Sequence, residues 1–289
     1  MQVMESEKRN QLIEDGYCIL ENILDVSSLA ELNKTSLWTI DKMLADEPEH
    51  FDRKRSQGCV IPYSKYPHPV FTNLIADPRA LKALALLGFD NPKVWTGFVI
   101  SKPPYSPPLY WHQDGVLWSH PISYTNQPQQ YFLMYYLVNT NRNNGCLRVI
   151  PGSHRNRHVL HDIEKKDLYG EVSRGTDLDH PALQHAEGEI DVPVTAGDLV
   201  IGDSRLLHSA HANQSSQRRT VLIIWYWPAY DKLPDEVKAL VTEHFAETNE
   251  KSFRVWADQT KAVTGGLIPS YSGSAKPPSW NNFPNASLK

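Results

Sequence analysis

Between residues 93 and 228 the chain is a succession of short runs rich in Val, Ile, Tyr and Trp, separated by turn residues. Runs of that length and composition read as β-strands. They are predicted at 94–101, 110–113, 131–138, 147–150, 190–194, 198–201, 206–210 and 220–227. Eight or so short strands at this density fit a jelly roll or a related barrel.

The flanks follow a different pattern. Residues 4–15 read as a short helix, Gly16 as a break, and Tyr17-Cys-Ile-Leu as a strand. Behind Asp25, a helix N-cap residue, Leu29, Leu32, Leu37, Ile40, Met43 and Leu44 fall at helical spacing over 26–46. Residues 50–75 are mixed and broken by prolines. A second helix starts at Asp77-Pro78 and runs to about Leu87. A last helix is expected from Pro234 to Thr248, and an irregular tail after Gly265. The order is helices, strands, one helix and a tail. It reads as one α+β, mainly β domain over 1–289, with a helical part at about 1–92, a jelly-roll core at about 93–228 and a C-terminal helix and tail at about 229–289.

Composition excludes several classes. Apolar residues are 40% and charged residues 21%, enough for a sizeable core and against disorder. The net charge is −4 with Lys and Arg scattered, so no nucleic-acid or membrane-surface partner is expected. The longest apolar run, Val221–Trp227, is far shorter than the roughly 20 residues of a membrane helix. Cys18, Cys59 and Cys146 are too few and too far apart for a disulfide framework or a zinc knuckle. The polar start, Met1-Gln-Val-Met-Glu-Ser-Glu-Lys, has no apolar signal region, and a reduced cytoplasmic setting is expected.

Two stretches carry chemistry. The first is Tyr110-Trp-His112-Gln-Asp114-Gly-Val-Leu-Trp118. Positions i and i+2 of a strand share a face, so His112 and Asp114 present an imidazole and a carboxylate together. A 2-His-1-carboxylate set holds iron by one face and leaves the others open. The tripeptide alone is a weak signal, since a strand-edge His followed by an Asp turn looks the same. The second stretch is Asp203-Ser-Arg-Leu-Leu-His208-Ser-Ala-His211-Ala-Asn213, then Arg218-Arg219 entering a strand. In an antiparallel pair such an Arg can reach back towards the metal and grip a dicarboxylate bidentately. His208 and His211 face opposite sides of a strand, as do Arg218 and Arg219, so one of each pair points inward.

Several motifs together resemble the phytanoyl-CoA dioxygenase family of Fe(II)/2-oxoglutarate oxygenases. They are Glu14-Asp-Gly16-Tyr, Lys102-Pro-Pro, His112-Gln-Asp114, Arg142-Asn-Asn-Gly145-Cys-Leu, Ile150-Pro-Gly-Ser-His154 and Leu207-His208-Ser with Asn213 and Arg219. The match runs in order from about residue 10 to 228 and keeps the family's eleven-residue interval from His208 to Arg219. The resemblance implies a double-stranded β-helix (jelly roll) core, Fe(II) bound by His112, Asp114 and His208, and 2-oxoglutarate and O2 as co-substrates. It implies Arg219 for the far carboxylate of 2-oxoglutarate, with Lys102 and Ser209 assisting. Where the family has a Trp lining the co-substrate pocket, this chain has Met134. Halogenating relatives lack the carboxylate ligand, so Asp114 implies hydroxylation or desaturation rather than chlorination.

The expected substrate is a small organic molecule, with secondary metabolism preferred. Trp118, just past the ligand pair, and Arg205, just before the distal strand, are expected to contact it. Residues 152–189 hold no strand pattern and carry His154, His158, His161, His180 and His185. They read as a solvated loop rather than a second metal site, and with the tail as a lid. The rival readings are a zinc hydrolase or cupin-type isomerase on the same His-Asp-His set, needing no Arg219, and a non-catalytic ligand-binding barrel.

Overall fold

The computed structural model describes residues 2–126, 129–163, 170–247 and 265–289. Its strands are β1 (Tyr17–Leu20), β2 (Cys59–Pro62), β3 (Lys93–Lys102), β4 (Leu109–His112), β5 (Tyr131–Tyr136), β6 (Leu147–Val149), β7 (Ile190–Val192), β8 (Leu199–Asp203), β9 (His208–Ala210) and β10 (Arg219–Trp227). Among the described residues they form a six-stranded sheet, β1-β8-β5-β10-β3-β2, and a four-stranded sheet, β4-β9-β6-β7. All pairings are antiparallel. This is a mainly β, α+β jelly roll, as expected.

Why the central strands are apolar throughout follows from what covers each face. In β5, Phe132, Met134 and Tyr136 point inward, where they meet Leu147, Val149 and Val192 of the smaller sheet. Tyr131, Leu133 and Tyr135 point outward, onto the helices. In β10 the same alternation sends Val221 and Ile223 inward and Leu222, Ile224 and Tyr226 outward. A sheet covered on both faces needs no polar side, so Val-Leu-Ile-Ile-Trp-Tyr-Trp is a strand here.

The outer face is covered by α1 (Gln2–Glu14), α2 (Val26–Asp46), α4 (Pro69–Ile75) and α5 (Pro78–Leu86); α3 is the short His50–Arg53 turn. Asp25 caps α2 by accepting the Ser28 N–H at 2.8 Å, and Asp77 caps α5 by accepting that of Arg79 at 2.8 Å. The buried stripe of α2 is Leu32, Thr35, Ser36, Thr39, Ile40 and Met43; Leu37 lies off it and is exposed. The segment 50–75 is more regular than its prolines suggested. It holds β2 and α4, with Pro69 in the first turn of α4, where its missing N–H has no partner to lose.

Residues 235–247 are helical, and the position of Thr248 lies outside the described residues. Val237 and Val241 of this helix pack with Trp95, Val116, Leu117 and Trp227. The loop at 152–189 has no strand among its described residues, only the turns Val159–Asp162 and Pro181–Leu183 and the short α6 (Glu171–Arg174). It is not simply solvated: His154 and His161 are buried. The tail docks on the segment after β4. Trp118 N–H donates to Asn281 O at 3.0 Å, and Asn281 N–H donates to Val116 O at 2.9 Å. No described helix is long and apolar enough to cross a membrane.

Candidate metal centre and co-substrate pocket

His112 closes β4 and His208 opens β9, and the two are direct cross-strand partners. Their rings lie 4.2 Å apart between centroids. Each ring is oriented from behind: His112 Nδ1 sits 2.9 Å from Tyr110 O, and His208 Nδ1 sits 3.0 Å from Leu206 O. A carbonyl oxygen only accepts, so both Nδ1 atoms carry hydrogen and both Nε2 lone pairs are free to ligate. Burial, reinforced by neighbouring His208, lowers the His112 pKa to about 4, which keeps that imidazole neutral.

Asp114 completes the set from the loop after β4. Its backbone N–H donates to Ser204 O at 2.7 Å, which fixes the turn. Its two carboxylate oxygens lie 3.8 Å from His112 Nε2 and 3.8 Å from His208 Nε2. One ligand atom from each residue falls within 4.8 Å of the others. Asp114 Oδ2 also accepts the Trp225 indole N–H at 3.1 Å. Phe132 packs on His208 with centroids 5.0 Å apart. Two imidazoles and one carboxylate on one face suit a divalent iron with open positions.

The triad lines a cavity of about 460 Å³ that also contains Arg219. Arg219 opens β10 on the inward face it shares with Val221 and Ile223. It is 4% exposed, its Nε has no hydrogen-bond partner, and no carboxylate pairs with it among the described residues. Burial pulls its pKa down, and the neighbouring Tyr136 and Cys146 offset that only in part. An unpaired buried guanidinium is unfavourable until an anion arrives. The far carboxylate of a dicarboxylic acid meets that need. Arg218, its rival, is half-buried beside Cys59 on the other side of the strand.

The route by which Arg219 reaches the pocket differs from the expected one. The His strand and the Arg strand do not pair. β9 pairs with β4 and β6, whereas β10 pairs with β3 and β5 in the other sheet. Arg219 therefore faces the triad across the gap between the sheets.

Other expected residues fall elsewhere. Lys102 is the cross-strand partner of Arg219, but its ammonium donates to Ser56 O at 2.6 Å and Pro107 O at 2.5 Å and does not line the cavity. Burial, with Arg219 and Arg148 nearby, holds its pKa well below the ordinary lysine value. Ser209 lies along the cavity, yet its hydroxyl donates to Leu109 O at 2.5 Å and accepts from Arg148 Nε at 3.1 Å. Trp118 is fully buried against Tyr124 and His161 and does not line the cavity. Arg205 is 3% exposed and points away from it, chelating Asp203 through Nε at 2.9 Å and Nη2 at 2.7 Å. Neither Trp118 nor Arg205, the two residues expected to contact substrate, lines the cavity that holds the triad; both side chains are committed to the interior. His211 Nε2–H donates to Asp191 Oδ1 at 2.6 Å, away from the triad. With Cys146 these two form a second group of ligand-type side chains, but Asp191 is already held by Arg142 at 2.9 Å.

Met134, which stands where the family has a pocket-lining Trp, lines the cavity from β5, and so does Tyr136, which the sequence reading did not single out; both are inward positions of the Tyr-Phe-Leu-Met-Tyr-Tyr run. Period-2 parity with Phe132 was the available signal. Trp225 lies in the apolar run 220–227, and its hydrogen bond to Asp114 joins segments that nothing local connects. The tail brings Trp280, Asn282, Phe283 and Pro284 to the cavity wall, and Asn282 O accepts from Gln113, the residue between two of the triad positions.

A jelly roll with a His-Asp-His face and a buried, unpaired arginine in one cavity defines an Fe(II)/2-oxoglutarate-dependent dioxygenase. Residues 12–221 match the family described as Phytanoyl-CoA dioxygenase (PhyH), and the chain belongs to that family. A probable alpha-ketoglutarate-dependent hypophosphite dioxygenase of Stutzerimonas stutzeri is 26% identical over 239 residues, 78% of this chain and 81% of that protein. An ectoine dioxygenase of Sphingopyxis alaskensis is 26% identical over 221 residues, 69% of this chain and 68% of that one. Among solved structures, EctD from S. alaskensis with bound Fe superposes with a TM-score of 0.54 at 22% identity, covering 78% of this chain and 77% of that chain. The epimerase SnoN in complex with Fe3+, alpha ketoglutarate and nogalamycin RO gives a TM-score of 0.58 at 19% identity, covering 80% and 86%.

Proposed function

We propose that the chain hydroxylates an unactivated C–H bond of a small organic molecule, an intermediate of secondary metabolism, with iron held by His112, Asp114 and His208 and 2-oxoglutarate gripped by Arg219. The observation that carries this reading is the sharing of one cavity by the three ligating atoms, within 4.8 Å of one another, and the unpaired Arg219. Ferrous iron and 2-oxoglutarate, when bound, use O2 to place one oxygen atom on the substrate carbon and the other in succinate, with release of CO2.

The chain's own residues aim and shield that chemistry. Arg219 orients the co-substrate by its far carboxylate. Trp225 steadies Asp114 through Oδ2. Retention of the carboxylate ligand supports hydroxylation over halide transfer. Among the described lining residues Arg219 is the one lysine or arginine, and Asp114 the one acid. A polyanionic acyl-CoA would find no counter-charge beyond the co-substrate's arginine. The named substrates of the two relatives, hypophosphite and ectoine, are small and polar. Walls built from Phe98, Ile100, Ile223, Trp225 and Phe283 suit a larger, less polar skeleton.

The test is anaerobic addition of Fe(II) and 2-oxoglutarate, followed by a succinate-release screen over neutral, cationic and anionic small molecules. A weak visible charge-transfer band that needs both additions, and hits among uncharged ring compounds, are expected. No band, together with full activity on zinc, would end the oxygenase assignment for this site.

A further inference from the structure

His161 belongs to the loop at 152–189, in the turn Val159–Asp162, and is among the residues that line the same cavity. It is 4% exposed. Its Nδ1 accepts the backbone N–H of His158 at 3.0 Å, while His158 Nδ1 accepts the N–H of Leu160 at 3.2 Å. This reciprocal cap fixes more than the turn. A backbone N–H only donates, so Nδ1 of His161 must be the bare nitrogen, and the neutral ring carries its proton on Nε2. That Nε2 is buried and has no hydrogen-bond partner among the described residues. Trp118 stands edge-on to the ring at 6.4 Å and holds its plane.

Burial, with His158 and Arg157 adding to it, lowers the His161 pKa to about 4 against the weaker pull of Asp162. At neutral pH the ring is therefore an uncharged donor. A buried donor without an acceptor is unfavourable unless a ligand supplies one. Arg219 is the matching case at the co-substrate end: a buried donor awaiting an anion. His161 is a neutral donor, and it awaits a neutral acceptor.

We propose that His161 is a specificity-determining residue whose Nε2–H donates to a carbonyl, ether or hydroxyl oxygen of an uncharged, otherwise apolar substrate. This rests on the hydroxylase reading above and extends it to the class of substrate. A site built to satisfy a donor discriminates strongly against an analogue that lacks the oxygen.

Two substitutions separate the two nitrogens. In His161→Asn the amide oxygen takes the place of Nδ1, keeping the cap and removing the cavity donor. In His161→Gln the amide nitrogen takes the place of Nε2, keeping the donor and removing the cap. The probes are matched neutral pairs, 1-tetralone with tetralin and 1-indanone with indane, scored by substrate-stimulated succinate release and by perturbation of the anaerobic Fe(II)/2-oxoglutarate band. In the unmodified enzyme the ketone of a pair is expected to be favoured at least tenfold. In His161→Asn that preference falls to near unity, with the band itself and the melting temperature retained. In His161→Gln the preference survives while the melting temperature drops. Equal preference in His161→Asn and the unmodified enzyme, a favoured hydrocarbon, or no response to either pair while the band forms would each overturn the proposal. Loss of the band in His161→Asn would also overturn it, assigning the residue to the co-substrate. Failure of the unmodified enzyme to form the band is a different result, since it removes the hydroxylase reading itself.

Discussion

The indole N–H of Trp225 donates to Asp114 Oδ2 at 3.1 Å, from the six-stranded sheet to the loop that follows β4 in the other sheet. It occupies the carboxylate oxygen that lies 3.8 Å from His208 Nε2. Partners behind a ligand set its orientation, and their loss commonly reduces metal affinity by about 10- to 100-fold. Trp225→Phe keeps the ring against Phe98 but loses the donor. Fe(II) titration should show affinity weakened within that range, and unchanged affinity would mean that Asp114 is held well enough by its backbone bond to Ser204.

Arg219→Ala should affect 2-oxoglutarate far more than iron. Truncating one member of a buried charge pair costs about 2–5 kcal/mol. The expected rise in KM for 2-oxoglutarate is at least about thirtyfold. Arg219→Lys should recover little of it, because a single ammonium cannot reproduce the two-pronged contact. Steady-state kinetics at fixed substrate read both variants, and a KM within twofold of the parent enzyme would remove Arg219 from the co-substrate site.

Gly202 sits opposite Phe132 in the β5–β8 pair. A Cβ placed there would come within 2.1 Å of the Phe132 ring, which in turn packs on His208. Overpacking of a filled core typically costs about 1–3 kcal/mol. Gly202→Ala should lower the melting temperature and also weaken Fe(II) binding, since relieving the clash displaces the ring that packs on the imidazole. A loss of stability with iron affinity intact would show that Phe132 yields without disturbing the imidazole.

Arg205 and Asp203 form a buried pair, 4% and 5% exposed at their side chains. Burial works to raise the Asp203 carboxyl, but the charge and hydrogen bonds of Arg205 outweigh it and hold the pKa below the ordinary value. A depressed folded-state value gives stability that is fully present above the unfolded pKa, about 3.9, and is lost as pH falls through the lower folded value. Asp203→Asn leaves Arg205 without its counter-charge and should cost about 3–5 kcal/mol. Calorimetry should find the gap between variant and parent constant from pH 7 to about pH 5, closing only below about pH 4. A gap that closes near neutrality would assign the effect to another group.

The choice of Arg219 was legible because strand parity is local: it shares its face with Val221 and Ile223 while Arg218 does not. The proposed ligand pair was legible in its two-residue spacing, although β4 ends at His112 and Asp114 is held in the following loop by its backbone bond to Ser204. The same parity held the inward positions of β5. Arg205 and Trp118 lie away from the cavity lining for a reason that the sequence does not display. A side chain near a site in sequence looks available, and nothing local announces that Asp203 will fold back on Arg205 or that Trp118 will be sealed against Tyr124 and His161.

What the sequence determined by itself was therefore the strand-built core, the helical cover and the residue types that converge, since each follows from periodicities of two or 3.6 along the chain. Only the tertiary structure decided that β9 and β10 lie in different sheets, that Trp225 braces Asp114, that the tail walls the cavity, and that His161 keeps a buried N–H without an acceptor among the described residues. Those relations join residues that pattern cannot link, because they depend on which surfaces meet once the two sheets have closed on each other.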